Sequence, residues 1–373
     1  MTNNPSLANG PVREPRGIVR VNGQQIAGWL EWEAESHTYR ESATFRVLLS
    51  LSALAAPNDE VWFCSQTTMT VELYGGFPAD PSNYGVSDLD LVLVGNVDDV
   101  HYDPLQRTLE LTGRDLASLL IDAKTTETFR NQTASQIATT LAQRHGLTPV
   151  VTATSDKAGK YYQIDHIQLT DGHTEWDLLT WLAAQTGYVV YVKGHELHFE
   201  PAPDPAQAPV YPIVWTPADD TQSFQCTAEQ LSFSRTLTVG NTITVTVRSW
   251  NQKQRHGFSE TYPTGRAKGI RPGTATSPAQ QYFVVIPNLT PDQAVKAAKA
   301  KYNDLIKQEM RLSAVMPADG TLSINNVIQV TGTGTVYDQN YFPESIVRRM
   351  GIDEGYVMSV SARNHSNDVQ AAA

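Results

Sequence analysis

Leu109 to Pro149 reads LELTGRDLASLLIDAKTTETFRNQTASQIATTLAQRHGLTP, and within it the spacing of apolar residues passes from that of a strand to that of helices. Leu109 and Leu111 alternate with polar neighbours, Gly113 breaks the alternation, and Leu116, Leu119 and Leu120 then fall at helical spacing within Asp115 to Ile121. Thr133 and Gln136 form a capping box for a second helix whose Ile137 and Leu141 share one face, and Gly146 supplies a left-handed stop. No polar residue in the stretch is placed for chemistry. It marks a structural joint between a strand and a capped helix.

Upstream of the joint, residues 17–113 read as β throughout. Ile18 to Val21 leads into an Asn22-Gly23 pair that signals a tight hairpin. Phe45, Val47 and Leu49 alternate, as do Met69, Val71 and Leu73, and Leu89, Leu91 and Leu93, so each run has one face toward a common core. Downstream, residues 114–203 read as helix, helix, strand, strand. Thr174 caps a helix carrying Trp176, Leu178, Leu179, Leu182 and Ala183, and Gly187 ends it. Pro201 to Pro217 reads as a proline-rich hinge.

The chain then returns to β over residues 204–363. Leu231 and Phe233 open this block, and Leu237 to Val247 alternates across a Gly240-Asn241 turn. One helix interrupts it: Thr290 caps, Pro291 sits in the first turn, Gln293 completes the box, and Ala294, Ala298 and Leu305 face inward. The expected fold is mainly β with an α/β insert, two β-barrel-like tube domains (17–113 and 204–363) flanking a small α/β domain (114–203). Residues 1–16 and 364–373 read as flexible ends, and the first lacks the apolar run of a secretory signal.

At 373 residues the chain is long enough for two or three domains, and 40% hydrophobic with 18% charged residues is an ordinary globular balance. The most apolar run, Val47 to Ala56, falls far short of the roughly 20 residues needed to cross a bilayer. Cys64 and Cys226 read as buried free thiols of a protein folding in a reducing compartment. A net charge of −11 gives no grip on nucleic acid. It fits two readings, colloidal solubility or a channel wall that repels passing phosphates.

Candidate chemistry is sparse. Gly194-His195-Glu196-Leu197-His198 lacks the His-Glu-x-x-His spacing of a zinc site, and in a strand its two rings point to opposite faces. Asp88, Asp90, Asp98, Asp99 and Asp103 are the acids that a glycosidase pair would draw on, and alternation of the first two with Leu89 and Leu91 suits a half-exposed strand. Thr331-Gly332-Thr333-Gly334-Thr335 reads as a hairpin turn, since no helix starts where its amides would hold an anion. Neither a cofactor nor a metal site is expected. Asn251 to Gln281 reads as a long loop with Lys253, Arg255, Arg266, Lys268 and Arg271 against Glu260 alone, either a subunit-contact arm or a plain mobile loop.

The opening stretch also resembles the tail or baseplate hub proteins of contractile-tailed bacteriophages, the late control protein D group, related to the hub part of type VI secretion spike proteins. In that group a Gly-Arg-Asp-Leu element precedes an Asn-Gln-Thr-capped helix, as Gly113 to Leu116 and Asn131 to Thr133 do here. TEWDLLTWLAAQTGYVVYVKGHELHFEP (Thr174 to Pro201), Leu312 to Val315, Leu322 to Gly332 and Gly355 to Asn364 continue the similarity. Asn325 and Asn326 stand where the group has proline and glycine, and an insert around Val336 to Met350 separates the last two strands.

What the resemblance implies is a non-enzymatic structural hub: a homotrimer joining a six-fold tail tube to a three-fold spike in the virion tail baseplate, with DNA only in transit. Its implied partners are itself, the tail tube protein, the spike protein, and other baseplate and tape-measure proteins, assembled in the bacterial host cytoplasm without membrane insertion. The alternative from another class is a peptidoglycan-degrading tail hydrolase using Asp98, Asp99 or Asp103.

Overall fold

The computed structural model describes residues 14–124, 129, 132–155, 173–204, 207–219, 222–235, 243–251, 256–262, 280–286, 289–306 and 310–364. The first block holds β1 (Arg16–Val21), β2 (Gln24–Gln25), β3 (Trp29–His37), β4 (Thr44–Ser50), β5 (Thr70–Gly76), β6 (Asp90–Asp103) and β7 (Thr108–Asp115). It is not β throughout as expected, since Asp59 caps a short helix, Glu60–Ser65, between β4 and β5. The β1–β2 hairpin turns on Asn22 and Gly23, both at positive φ, as an Asn-Gly pair favours. The alternating residues Phe45, Val47, Leu49, Met69, Val71 and Leu73 are all buried.

Leu89, Leu91 and Leu93 do not form the third such run. The β5–β6 register passes from Leu73↔Leu93 to Tyr74↔Leu91, leaving Val92 as an extra residue. A bulge of this kind reverses the facing of everything beyond it, so Leu93 is buried while Leu91 is 43% exposed.

Between the β blocks lies the α/β insert. Its strands β8 (Thr148–Val151), β9 (Tyr188–Lys193) and β10 (Glu196–Pro201) are ordered β8–β10–β9, with β8 parallel to β10. The helices Ser118–Asp122, Ala134–Arg144 and Glu175–Thr186 bury Leu120, Ile137, Leu141, Leu179 and Leu182 with Val190, Leu197 and Phe199. The expected Thr133–Gln136 capping box forms, Thr174 caps its helix as expected and adds a box with Asp177, and Gly187 closes that helix in the left-handed conformation. Glu175, almost fully buried, accepts from Arg144 and from the His145 ring, which ties two of these helices together.

The last block contributes β11 (Val210–Thr216), β12 (Gln225–Cys226), β13 (Gln230–Arg235), β14 (Ile243–Asn251), β15 (His256–Tyr262), β16 (Gln280–Val285), β17 (Met310–Pro317), β18 (Val327–Thr331), β19 (Asn340–Gly351) and β20 (Gly355–Arg363). Three sequence expectations change here. The proline-rich hinge contains β11, which runs parallel to β18 with Ile213 fully buried; Pro212 is tolerated because this strand lies near the sheet edge. The insert around Val336 to Met350 contains β19, a central strand that a bulge at Glu344 and Pro343 hide from a periodic reading. Asn251 to Gln281 contains β15, antiparallel to β14. Gly240 and Asn241 lie outside the described residues, and the strands on either side of them belong to different sheets.

Fourteen strands of both β blocks form one sheet, and among the described residues they trace no closed barrel. The join is β3 against β19, from His37↔Ser345 to Glu31↔Gly351. One core accompanies it: Val19, Trp32, Val47, Leu73 and Leu111 pack in the same cluster as Leu312, Ile346, Met350, Tyr356 and Met358. Apart from this core, β14, β15 and β16 form a three-stranded sheet covered on one face by the helix Pro291–Ile306, with Val245, Val247, Ala294 and Ala298 buried between them. Thr290 and Gln293 box that helix as expected, while the side chain of Leu305 lies outside the described residues.

Candidate assembly surfaces

Gly113, Arg114 and Asp115 make the joint between the first β block and the insert. Gly113 lies under the Phe45 ring and beside the Asn96 carbonyl. Arg114 forks onto both oxygens of Asp98, at 2.7 and 2.9 Å, and reaches Asp122 at 3.0 Å, so it bridges β6 to the first helix of the insert. The buried Asp115 carboxylate accepts from Ser42 Oγ at 2.5 Å and from the amides of Ala43 and Ala117, each at 3.0 Å. Burial pushes its pKa up, against those hydrogen bonds and the nearby Arg114, which pull it down.

Asp115→Ala strips three donors of their acceptor and is expected to cost about 2–3 kcal/mol in a denaturant titration. The pH dependence has a fixed sign. A carboxyl whose folded pKa lies above its unfolded value favours folding most when protonated, so this contribution is present in acid and lost as pH rises from about 4 through the raised folded value. Asp115→Asn should abolish that portion of the slope; an unchanged slope would assign it to another group.

A second tie crosses from insert to body at Asn325, where the sequence departs from the hub pattern. Its side-chain oxygen accepts from Tyr39 at 2.5 Å and its amide donates to Tyr191 at 3.2 Å. Trp176 Nε1 donates to the Arg40 carbonyl at 2.9 Å on the same side. Asn326 in turn accepts from the Ser323 amide and hydroxyl, forming the turn before β18.

Three of the acids considered for chemistry are held by structural contacts, while Asp99 is exposed. Asp98 is the Arg114 partner, and Asp103 accepts the amides of Leu105 and Gln106 at the tip of the β6–β7 hairpin. Asp88 caps the Gly85 amide. His195 is exposed in the turn before β10. His198 lies in the strand, stacked on Tyr191 at 4.6 Å and flanked by Glu196 and Glu200. In the Thr331–Thr335 hairpin the turn amides of Thr333 and Gly334 already hold an anion, the carboxylate of Asp338. Hydrogen bonds from the Thr333 hydroxyl and these amides lower its pKa. Cys226 is partly buried and Cys64 exposed, against the expectation that both are buried; both are free thiols.

A groove of about 220 Å³ beside β3, β4 and β19 is lined by Glu31, Glu33, Arg46 and Arg349, and its cations are paired: Arg46 with Glu31 and Glu110, Arg349 with Glu33. Among the described residues no three His, Cys, Asp or Glu side chains converge on a metal position, and no helix is long and apolar enough to cross a membrane.

Lys253, Arg255, Arg266, Lys268 and Arg271, the expected contact arm, lie outside the described residues. They belong by sequence to a strongly basic segment. Positions 243–306 contain nine Lys and Arg against three Asp and Glu, leaving 19 cations and 36 acids elsewhere in the chain.

Two exposed surfaces escaped the sequence reading. Strand β6 is twice as long as β5, which pairs with it only as far as Asn96. From Asp98 to Asp103 it therefore pairs with β7 alone among the described strands, and Val100, Tyr102 and Leu105 stand exposed there, Leu105 by 94%. The mismatch in strand length is the signal, and it is legible only once register is known.

The other surface is the outward face of β14–β16. Arg248 lies 4.7 Å over the Phe283 ring, and Trp250 lies across Gly257, where a Cβ would stand 2.9 Å from its ring. Trp250 is 55% and Val285 73% exposed, side by side with Arg248. Alternation in β14 hides this face, because bulky residues occupy both sides of the strand.

No protein-family model matches the chain, and no curated protein matches it in sequence. In three dimensions it is similar to a tail protein from Neisseria meningitidis MC58, with a TM-score of 0.67 and 17% identity over 94% of this chain and 96% of that one. It is similar to the 43 kDa tail protein of prophage MuSo2 from Shewanella oneidensis, with a TM-score of 0.64 and 16% identity over 95% and 99%. An E. coli component of the type VI secretion system, itself structurally similar to the T4 bacteriophage tail proteins gp27 and gp5, aligns with a TM-score of 0.50 and 12% identity over 94% and 77%. The mainly β chain with its α/β insert thus has the fold of phage tail proteins, as the resemblance in sequence implied.

Proposed function

We propose that the chain is the non-enzymatic structural hub of a phage tail baseplate, a homotrimeric adaptor between a six-fold tail tube and a three-fold spike. The observation that carries this reading is the similarity of fold, running almost end to end, to two phage tail proteins. Symmetry supplies the mechanism. Each chain brings two β blocks, so three chains present six around an axis and can stack on a six-fold tube, while the opposite face accepts a three-fold partner. Because the blocks share one core and one sheet, their spacing is fixed within each chain.

The hub closes the tube until the spike leaves and then lines part of the DNA path; no bond is made or broken. A wall whose net charge is negative or neutral repels the phosphates and lets the polymer slide. Its partners are other copies of itself, the tube protein, the spike, and further baseplate and tape-measure proteins. Its place is the virion tail baseplate, reached by assembly in the host cytoplasm.

Light scattering on the purified chain, with negative-stain imaging, is expected to give a trimer mass and a ring with an axial hole. A monomer at every concentration would sink the adaptor reading, and a bore lined mainly by Lys and Arg would sink the sliding wall. Incubation with peptidoglycan is expected to release no soluble fragments. Release that disappears in Asp98→Asn, Asp99→Asn or Asp103→Asn would instead establish a hydrolase.

A further inference from the structure

Two exposed surfaces of this chain complement each other. The β6–β7 hairpin offers apolar Val100 and Tyr102 on one face of β6, exposed Asp99 on the other and Leu105 at its tip, along a strand edge that no other described strand covers. The outward face of β14–β16 offers Trp250, Phe283 and Val285 around Arg248. Each combines exposed apolar side chains with a charged one, Asp99 on the hairpin edge and Arg248 on the sheet face. The contrast extends beyond these side chains: the segment 243–306 is basic by six charges, and the rest of the chain is acidic by seventeen.

We propose that the β14–β16 face is the docking site for the β6–β7 hairpin of a second copy of this chain, with Asp99 of one copy opposite Arg248 of the next. Trp250 and Arg248 are the residue types that dominate binding energy at interface centres. Both are pre-set here, Trp250 by its ring lying against Gly257 and Arg248 by its seat over Phe283, so little side-chain freedom is lost on association. The opposite charges of Asp99 and Arg248 set orientation, while the apolar residues supply the burial.

The contact is head-to-tail, because the two surfaces differ. Every copy therefore uses both, and repetition either closes a ring or runs on as a filament. The proposed hub supplies only the count of three at which the ring closes.

The test measures self-association of the full chain by light scattering over a range of concentration, for the wild type, Arg248→Glu, Asp99→Arg, and the double variant. Each single change places like charges together and is expected to weaken association at least about tenfold. The double variant restores opposite charges and should recover most of the loss. Trp250→Ala should weaken association with no change in the thermal transition, which separates a docking role from a folding role. If the wild type forms its ring and the single variants form it equally well, this interface is wrong and the hub reading stands. Singles that weaken without recovery in the double variant would overturn the Asp99–Arg248 pairing. A wild type that stays monomeric sinks both.

Discussion

Trp32→Ala is expected to cost the folded chain about 3–5 kcal/mol, and to do so in one transition that takes both β blocks with it. Trp32 is 1% exposed and sits on β3, the strand through which the first block joins the last. Its ring meets Tyr356 of β20 at 5.8 Å. A Cβ on Gly75 would stand 3.0 Å from the same two rings, and one on Gly17 2.3 Å from the Met350 sulfur. Gly17 and Gly75 are cross-strand partners, so a pair of residues without side chains makes the floor on which Trp32, Met350 and Tyr356 pack.

Truncation to alanine opens a cavity at a point where rigid backbone on one side prevents collapse, which places the cost toward the upper end for large-to-small changes. Trp32→Phe keeps most of the packing and should cost far less, under about 1.5 kcal/mol. Urea titration followed by far-UV circular dichroism distinguishes a shared core from two independent ones. A shared core shifts one transition. A curve that splits into an unaffected and a destabilised half would show that the blocks unfold separately, and the shared cluster would then carry no coupling.

What was legible in the sequence was local. The Asn22-Gly23 turn, the Thr133 capping box, the Thr174 cap and the Gly187 stop each depend on residues within a few positions of one another, and each forms as the sequence predicts. Alternation sufficed wherever a strand kept its phase, as in Phe45, Val47 and Leu49. It failed wherever an extra residue shifted the phase, at Val92 in β6 and Glu344 in β19, and wherever proline suggested a break, at Pro212 in β11. Strand β8 escaped because it is four residues long, includes Pro149 and pairs in parallel with a strand some fifty positions away.

The assembly surfaces were less legible than the fold for a related reason. A basic run can be counted in a sequence, but exposure depends on which strand lies alongside. Trp250 and Phe283 would be core residues if a partner strand or helix covered their face. Val100 and Tyr102 would be too if β5 were as long as β6.

Gly113→Val is expected to be comparably damaging, about 3 kcal/mol or more, and its cause lies in backbone. A Cβ at Gly113 would fall 2.0 Å from the carbonyl oxygen of Asn96 and 2.8 Å from the Phe45 ring. Gly95 is constrained in the same way, with the Arg114 carbonyl at 2.3 Å and Phe45 Cε1 at 2.8 Å. Phe45 thus rests on two glycines where β6 and β7 approach each other beside the Asp98 bulge. A neighbouring side chain could turn away from a new methyl group, whereas the Asn96 carbonyl can move only if β6 separates from β7.

Separation at that point reaches further than the ladder. Arg114 would lose its fork onto Asp98, and Asp115 its place beneath Ser42 and Ala43, so the first helix of the insert would lose its anchor to the body. Gly113→Ala should therefore already lower the urea midpoint by the equivalent of about 1–3 kcal/mol, with valine worse because its branched side chain adds contacts against the same carbonyl. An alanine variant as stable as the wild type would mean that β6 can shift aside at little cost. In that event the Gly-Arg-Asp element would owe its sequence to Arg114 and Asp115 alone. If instead alanine is costly and Gly95→Ala is costly too, the glycine is fixed by the seating of one phenylalanine ring, and the ion pair and buried carboxylate beside it depend on that seat.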